Sequence, residues 1–166
     1  MLNQPIDSGY ILPFKSRPAK VLQGWHGGYS HFSRQIGRFV IDDSYAIDFE
    51  LPLRSEIIAA RAGIATGIVD WIKACYKGLD FKIGASYPGN HIEIRHDDGS
   101  YAYYEHLELG SISPFIEEGS YVEQGKVIGL LGQSGWIGPT PHLHFEVYER
   151  GIEGFMRKSL PVSFRD

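Results

Sequence analysis

Short segments in which apolar and polar residues alternate run through most of the chain, and glycine-rich turns separate them. In HLHFEVYE (142–149) every second residue is apolar up to Val147, which is the period of a half-buried β-strand. Further candidate strands share this character: YAIDFEL, IIAARAGIATGIVDW, HIEIRH, SYAYYEHL and KVIGLLG. No segment has a long helical period. The pattern therefore predicts a mainly β fold, an antiparallel sandwich or barrel-like domain with long loops.

The length and composition fit one compact β domain. The chain has 166 residues with 20 glycines and 9 prolines, which is typical of many short strands joined by tight turns. We expect a single domain over residues 1–166. Within it, residues 1–20 are predicted as an irregular lead-in, about 20–150 as the core and 151–166 as a C-terminal extension.

Charge and hydropathy argue against two classes of partner. The net charge is −4 and no basic stripe is present, so we expect no nucleic-acid partner, because phosphate binding needs clustered Lys and Arg. No apolar run approaches twenty residues, so no membrane span is expected. The N-terminal segment lacks the apolar core of a signal peptide. Nothing indicates a dimer interface, and a monomer is expected.

Two histidines of HLHFEVYE share one face of the predicted strand. Because successive side chains of a strand point to opposite faces, His142 and His144 lie on the same side as Glu146, roughly 7 Å apart. Leu143 and Phe145 then face the core. This layout suits a metal ligand beside an acid–base residue, although an H-x-H pair alone also occurs on solvated strand faces.

Asp48 and His106 are the next candidates. Asp48 interrupts an otherwise apolar strand, and a buried carboxylate needs a partner or a metal. Without a metal, Asp48 would cap a turn or pair with an arginine such as Arg61. Alternation in SYAYYEHL groups His106 with Ala102 and Tyr104.

Four motifs in the same order resemble the lysostaphin and LytM-type zinc metallopeptidases. GQSGWIGPTPHLHFEV resembles the family's G-x-(S/T)-G…PHLHFEV box. The other three matching segments are YAIDFELPLRSEIIAARAGIATGIV, GNHIEIRHDDGSYAYYEHLELGSI and VEQGKVIGLLGQSG. The resemblance covers about residues 20–150. It implies the β fold of that family, built around a metal cleft, and an enzyme that cuts peptide bonds in peptidoglycan.

The resemblance implies a Zn²⁺ site made of two histidines and an aspartate. Asp48 and His144 match the family motifs directly. The family's commonest first histidine, four residues before the aspartate, is Ser44 here. A branch of the family carries this ligand upstream, and GGYSH ends in His31, which we therefore predict as the first ligand. The alternatives are His26 and, less favoured, Asp42 or Asp43.

The family's two other histidines match His106 and His142, which flank the metal water instead of binding the metal. The resemblance implies catalytic roles for both. We assign His142 as general base and His106 as transition-state stabiliser or proton shuttle, and the sequence leaves the opposite assignment open. His91 and His96 are interpreted as structural. The aromatic residues that could line a substrate groove, or equally pack in the core, are Trp25, Tyr29, Tyr103, Tyr104 and Trp136. A peptidoglycan substrate implies a periplasmic or secreted setting.

Two other functions compete with an active peptidase. EEGSYVEQGKVIGLL has the turn pattern of a lipoyl or biotin carrier, but the chain lacks the Asp-Lys-Ala and Met-Lys-Met tripeptides that carry the modified lysine. The stronger alternative is a degenerate LytM-like domain that has lost its metal and serves as a binding or activator module of the cell envelope. The ligand set discriminates these alternatives, and only the first ligand, His31, departs from the commonest pattern.

Overall fold

A computed structural model describes residues 6–16, 20–77, 87–112, 114, 116–152 and 155–165. Sixteen strands occur in these ranges, and none of the described residues is helical. In chain order the strands are β1 Ile6–Tyr10, β2 Lys20–Gln23, β3 Ser33–Ile36, β4 Phe39–Asp42, β5 Ile47–Glu50, β6 Glu56–Ile58, β7 Gly63–Val69, β8 Cys75–Lys77, β9 Asn90–Arg95, β10 Tyr101–Leu107, β11 Tyr121–Val122, β12 Val127–Leu130, β13 Gly135–Ile137, β14 His142–Glu149, β15 Phe155–Ser159 and β16 Val162–Phe164.

A ten-stranded sheet forms the body of the protein. Its main path runs β11-β7-β9-β10-β14-β15-β4-β3, and β5 joins it on β14 with β2 beyond. The long strand β14 is central because its first half pairs with β5 and its end pairs with β15, while β10 lines its other edge. Three pairs of short strands complete the fold: β1 with β16, β12 with β6 and β13 with β8.

One face of the central strands builds the hydrophobic core. Leu143, Phe145 and Val147 of β14 are buried in a cluster with Ala102 and Tyr104 of β10. The two-residue period of a strand sends the intervening side chains to the opposite face. The apolar alternation that identifies β14 in the sequence therefore anchors the strand and turns its histidines away from the core.

The mainly β fold predicted from the sequence is confirmed. The sheet differs from the prediction in being mixed, because β15 runs parallel to β4. Residues 1–20 are predicted as irregular, whereas their described part contains β1, which pairs with β16 of the C-terminal extension; residues 1–5 and 17–19 lie outside the described part. Within the described ranges, no helix has the length and hydropathy needed to span a membrane.

Candidate metal centre

The centre is built on the pairing of β5 with β14, which places Asp48 directly opposite His144. Nδ1 of His144 lies 3.0 Å from Oδ1 of Asp48. Both residues lie on the face that points away from the core. One ligand atom each from His31, Asp48 and His144 falls within 4.8 Å of the others. Three side chains predicted as ligands are therefore together.

His31 reaches the centre from the loop between β2 and β3. Its side chain is fully buried, and its Nδ1 lies 3.0 Å from the carbonyl oxygen of Gly24. A carbonyl can only accept, so Nδ1 carries the proton and Nε2 is left with a lone pair. Nε2 lies 3.2 Å from Oδ1 of Asp48, outside hydrogen-bonding geometry, and has no hydrogen-bond partner among the described residues.

The charges at the centre are strongly coupled. Burial acts to raise the pKa of Asp48, but the hydrogen bond from His144 and the other histidines around the carboxylate outweigh it and hold the pKa well below its usual value. Burial acts to lower the pKa of His144, but the hydrogen bond to Asp48 and the neighbouring carboxylates raise it to about 10. The protein without metal therefore holds an ion pair here, whose proton on His144 a metal would displace.

His106 and His142 lie beside the three candidate ligands with their rings 4.9 Å apart, edge to face. Nδ1 of His142 faces the carbonyl oxygen of Thr140 at 2.9 Å, and Nδ1 of His106 faces that of Ser134 at 2.9 Å. Each Nδ1 must therefore donate, and in the neutral form of each ring Nε2 is then an acceptor. Burial lowers the pKa of His106 to about 4, so this ring is neutral near pH 7.

A bulge in β10 turns the side chain of His106 into the cleft. The face predicted for His106 from alternation is therefore wrong. Alternation places His106 with Tyr104 on the core side. The register between β9 and β10 shifts between Glu105 and Leu107, and His106 has a φ of 69°. This left-handed conformation is uncommon for a residue with a side chain. As a result His106 lines the cleft together with Glu105, while Leu107 returns to the core.

A buried charge network lies behind His144. Oε2 of Glu146 is 3.7 Å from Nε2 of His144 and 3.5 Å from Nη2 of Arg157, and the Glu146 side chain is fully buried. Arg157 also donates to Oδ1 of Asp43 through Nε at 3.0 Å and Nη2 at 2.7 Å. Glu146, which alternation places on the same strand face as His142 and His144, thus lies between the candidate ligand His144 and Arg157 of β15.

The centre lies on the floor of an open cleft of about 1030 Å³. At its mouth the ring of Tyr29 stacks on that of Trp136, with centroids 5.6 Å apart. Tyr103 also lines the cleft. The other two aromatic candidates lie elsewhere, since Tyr104 is in the core and Trp25 packs edge to face on the ring of Tyr45.

The competing ligand assignments lie outside the cluster of three. The ring of His26 packs on that of Tyr45. Asp42 accepts hydrogen bonds from serines, including Ser33 at 2.7 Å, and Asp43 binds Arg157 and Arg34. Arg61 pairs with Asp97 and Asp98, so it does not neutralise Asp48.

Three polar residues near the centre are absent from the sequence-based prediction. Gln23 donates to Asp48, Glu105 lines the cleft, and Arg157 lies beneath Glu146. No local pattern identifies Gln23, because its contact with Asp48 comes from the pairing of β2 with β5. No local pattern identifies Arg157, because β15 comes to the site only through the order of strands in the sheet.

The donor set fits a divalent metal of the zinc type. Two imidazoles and one carboxylate are the ligands that catalytic zinc sites use, with a fourth position left for water or substrate. The buried Nε2 of His31 without a hydrogen-bond partner is the atom that such an ion would satisfy. The carbonyl bound by Nδ1 of the same ring sets its tautomer, as is usual for metal-binding histidines.

Fold and site together define an all-strand domain with a candidate histidine and aspartate metal centre in an open cleft. The sequence model of Peptidase family M23 matches residues 42–154. The chain belongs to this family. The matched range ends before β15. It begins after His31, so the candidate first ligand also lies outside it.

Three similar proteins illustrate the relationship. The L-Ala–D-Glu endopeptidase of Bacillus subtilis (strain 168) is 35% identical over 81 residues, which is 45% of this chain but only 24% of that protein. The catalytic domain of the antimicrobial peptidase lysostaphin from Staphylococcus simulans superposes with a TM-score of 0.52 and 21% identity, over 80% of this chain and 86% of that one. A zinc-containing peptidase from Vibrio cholerae superposes with a TM-score of 0.59 and 18% identity, over 95% of this chain and 41% of that one. The two structures share the fold.

Proposed function

We propose that the protein is a zinc-dependent endopeptidase that hydrolyses amide bonds in the stem peptides or cross-bridges of peptidoglycan. One observation carries the proposal: His31, Asp48 and His144 offer ligand atoms within 4.8 Å of one another, and Asp48 and His144 line a cleft that also presents His106 and His142. Membership of a peptidase family supports the reaction class.

His31, Asp48 and His144 would hold the ion through Nε2, a carboxylate oxygen and Nδ1, respectively. A bound Zn²⁺ supplies Lewis-acid chemistry, since it polarises the carbonyl of the scissile amide and makes water more acidic. Asp48 offsets part of the charge of the ion, and Glu146 behind His144 adds a second carboxylate. Glu146 faces Nε2, the other nitrogen of the His144 ring, and so makes the imidazole a better ligand.

His142 is proposed as the general base. Its Nδ1 is held by the Thr140 carbonyl, so its Nε2 faces the centre as an acceptor, 3.7 Å from Oδ1 of Asp48. An imidazole in this state takes a proton from water and returns it to the leaving amine. His106 presents the same acceptor at Nε2 and can donate only after it takes a proton. This state favours the proton-shuttle role over that of a standing hydrogen-bond donor to the oxyanion.

The substrate is proposed from the family and from the shape of the cleft. The named activity of the Bacillus subtilis relative is cleavage between L-Ala and D-Glu, residues that occur together in peptidoglycan stems. The cleft has a volume of about 1030 Å³, which gives room for a peptide segment beside the centre. Such a substrate places the enzyme in the periplasm or outside the cell.

The alternative is a degenerate, metal-free domain that binds the cell wall or activates another hydrolase. A complete set of ligand atoms at the floor of the cleft favours the enzyme. The test is zinc quantification on the purified protein, followed by release of soluble fragments from purified peptidoglycan with and without a chelator. We expect about one zinc per chain and release that chelation abolishes and added zinc restores. Binding to peptidoglycan without zinc and without release would support the alternative.

A further inference from the structure

We infer that Gln23 is a positioning residue of the metal centre, which fixes both the His31 loop and the carboxylate of Asp48. This inference rests on the proposed function, because it assigns a role toward the same ion. Gln23 ends β2 and pairs with Asp48 across the sheet. Its side chain makes four hydrogen bonds, each to the centre or to the loop that carries His31.

The orientation of the Gln23 amide is set by its partners. The backbone N–H groups of Tyr29 and Ser30 donate to Oε1 at 3.0 and 3.1 Å. Backbone N–H groups can only donate, so this atom is the oxygen and the other is the NH₂ group. Nε2 then donates to Oγ of Ser30 at 2.7 Å and to Oδ2 of Asp48 at 3.2 Å.

The bond to Oδ2 decides which oxygen Asp48 offers to the histidines. His31, His144 and His142 all approach Oδ1, at 3.2, 3.0 and 3.7 Å. With Oδ2 held by Gln23, the carboxylate cannot rotate without losing a hydrogen bond in a buried site. Gln23 therefore presents one oxygen to the ion.

The bonds to Oε1 hold the loop that carries the first ligand. His31 follows Tyr29 and Ser30 directly, so anchoring their N–H groups fixes the entry of its backbone. The loop also folds over the Gln23 side chain, because a Cβ added to Gly27 would overlap it. A histidine seventeen residues before Asp48 needs such an anchor, whereas a ligand on the strand itself would be placed by the sheet.

The test compares two routes that break the same hydrogen bonds. Gln23→Met keeps the length and removes the amide, and Gly27→Ala displaces the side chain without removing it. The matched controls are Gln35→Met, which removes an amide bonded to Gly37 in an exposed turn, and Gly28→Ala, whose added Cβ would meet no atom within 4 Å. The measurements are Zn²⁺ affinity by competition with a chromophoric chelator and the visible absorption spectrum of the Co²⁺ protein.

Loss of a residue that orients metal ligands weakens metal binding by about 10–100-fold. We expect this loss in Gln23→Met and in Gly27→Ala, with an altered Co²⁺ spectrum at saturating metal, while both controls bind as the wild type does. Because the spectrum reports ligand geometry, a general loss of stability would not change it. If Gln23→Met does not fold, Gly27→Ala decides the matter.

The role of Gln23 and the proposed function are tested by different outcomes. Wild-type affinity and an unchanged Co²⁺ spectrum in the testable variants would overturn the role of Gln23 and leave the enzyme intact. A wild-type protein that does not bind Zn²⁺ would overturn the proposed function, and the role of Gln23 with it.

Discussion

Asp48 and His144 are direct partners in the antiparallel pairing of β5 with β14, and Nδ1 of His144 lies 3.0 Å from Oδ1 of Asp48. Residues directly opposite in such a pair have side chains close enough to share one ligand. Two members of the candidate centre are therefore placed by the register of the sheet. His31 is instead placed by a loop whose backbone N–H groups at Tyr29 and Ser30 donate to the side chain of Gln23.

Asp48→Asn tests the ligand on the strand. The amide has the shape of the carboxylate but no negative charge, and the pKa of Asp48, lowered by the histidines, shows that the ionised form is the one the site holds. We expect zinc content to fall to near zero and activity to be lost. Glu50→Ala is the control, because Glu50 lies on the same strand and pairs with exposed Lys20; its zinc content should stay at the wild-type level.

His31→Ala tests the unusual first ligand, with His26→Ala as its matched control. Both histidines belong to the same loop, but only His31 is buried against Asp48, while His26 packs on the ring of Tyr45. We expect the Zn²⁺ affinity of His31→Ala to fall by at least about 100-fold, the upper end of the range for residues that only orient metal ligands. Equal zinc affinity in the two variants would exclude His31 as a ligand.

The sequence predicts the parts of the site that depend on strand alternation. His142 and His144 lie on the predicted face of β14, with Leu143 and Phe145 in the core. Alternation fails at His106, because a single-residue bulge reverses the face and no local signal marks it. The local sequence is enough to predict where a strand lies. A bulge also depends on how the strand pairs with its neighbour, here β10 with β9.

Long-range order is the second limit of prediction from the sequence. The parallel pairing of β15 with β4 brings Arg157 beneath Glu146. This arrangement depends on which strands become neighbours, and hydrophobic period does not encode that choice. For the same reason the pairing of β1 with β16 is absent from the prediction.

His106→Ala and His142→Ala should separate chemistry from metal binding. Neither residue belongs to the group of three ligand atoms, so we expect each variant to keep its zinc. Removal of a general acid or base costs about 10²–10⁴-fold in rate, and we expect kcat to fall in that range with little change in KM. Kinetics on a defined stem peptide, together with zinc quantification, check this. Loss of zinc in His142→Ala would instead make it a ligand.

The bulge at His106 gives a separate expectation for stability. His106 adopts a φ of 69°, a conformation that costs a non-glycine residue about 1 kcal/mol or more. In His106→Gly this strain is relieved, while the hydrogen bond to the Ser134 carbonyl is lost in both His106→Gly and His106→Ala. We expect the glycine variant to be at least as stable as the alanine variant in urea unfolding, the reverse of the usual order within strands.

His96 should make the stability of the metal-free protein depend on pH. Its ring is buried, Nδ1 donates to the carbonyl of Ala62 at 2.8 Å, and burial followed by the charge of Arg61 lowers its pKa below 6.5. The unfolded chain then binds more protons than the folded one as the pH falls below 6.5, so this residue destabilises the fold at acid pH. Asp97 and Asp98 oppose the shift without reversing it.

The effect of His96 is measured as the difference in the pH dependence of unfolding between the wild type and His96→Asn, because His106 and His144 also titrate. His96→Asn keeps a donor at the position of Nδ1 and removes the titration. In urea unfolding with chelator present, the free energy of unfolding of the wild type should fall more than that of His96→Asn between about pH 7.5 and about pH 5.5, on either side of the ordinary histidine pKa. The contributions of the other histidines cancel in the comparison. Identical pH profiles would mean that His96 titrates alike in both states, and the buried ring would have no part in acid sensitivity.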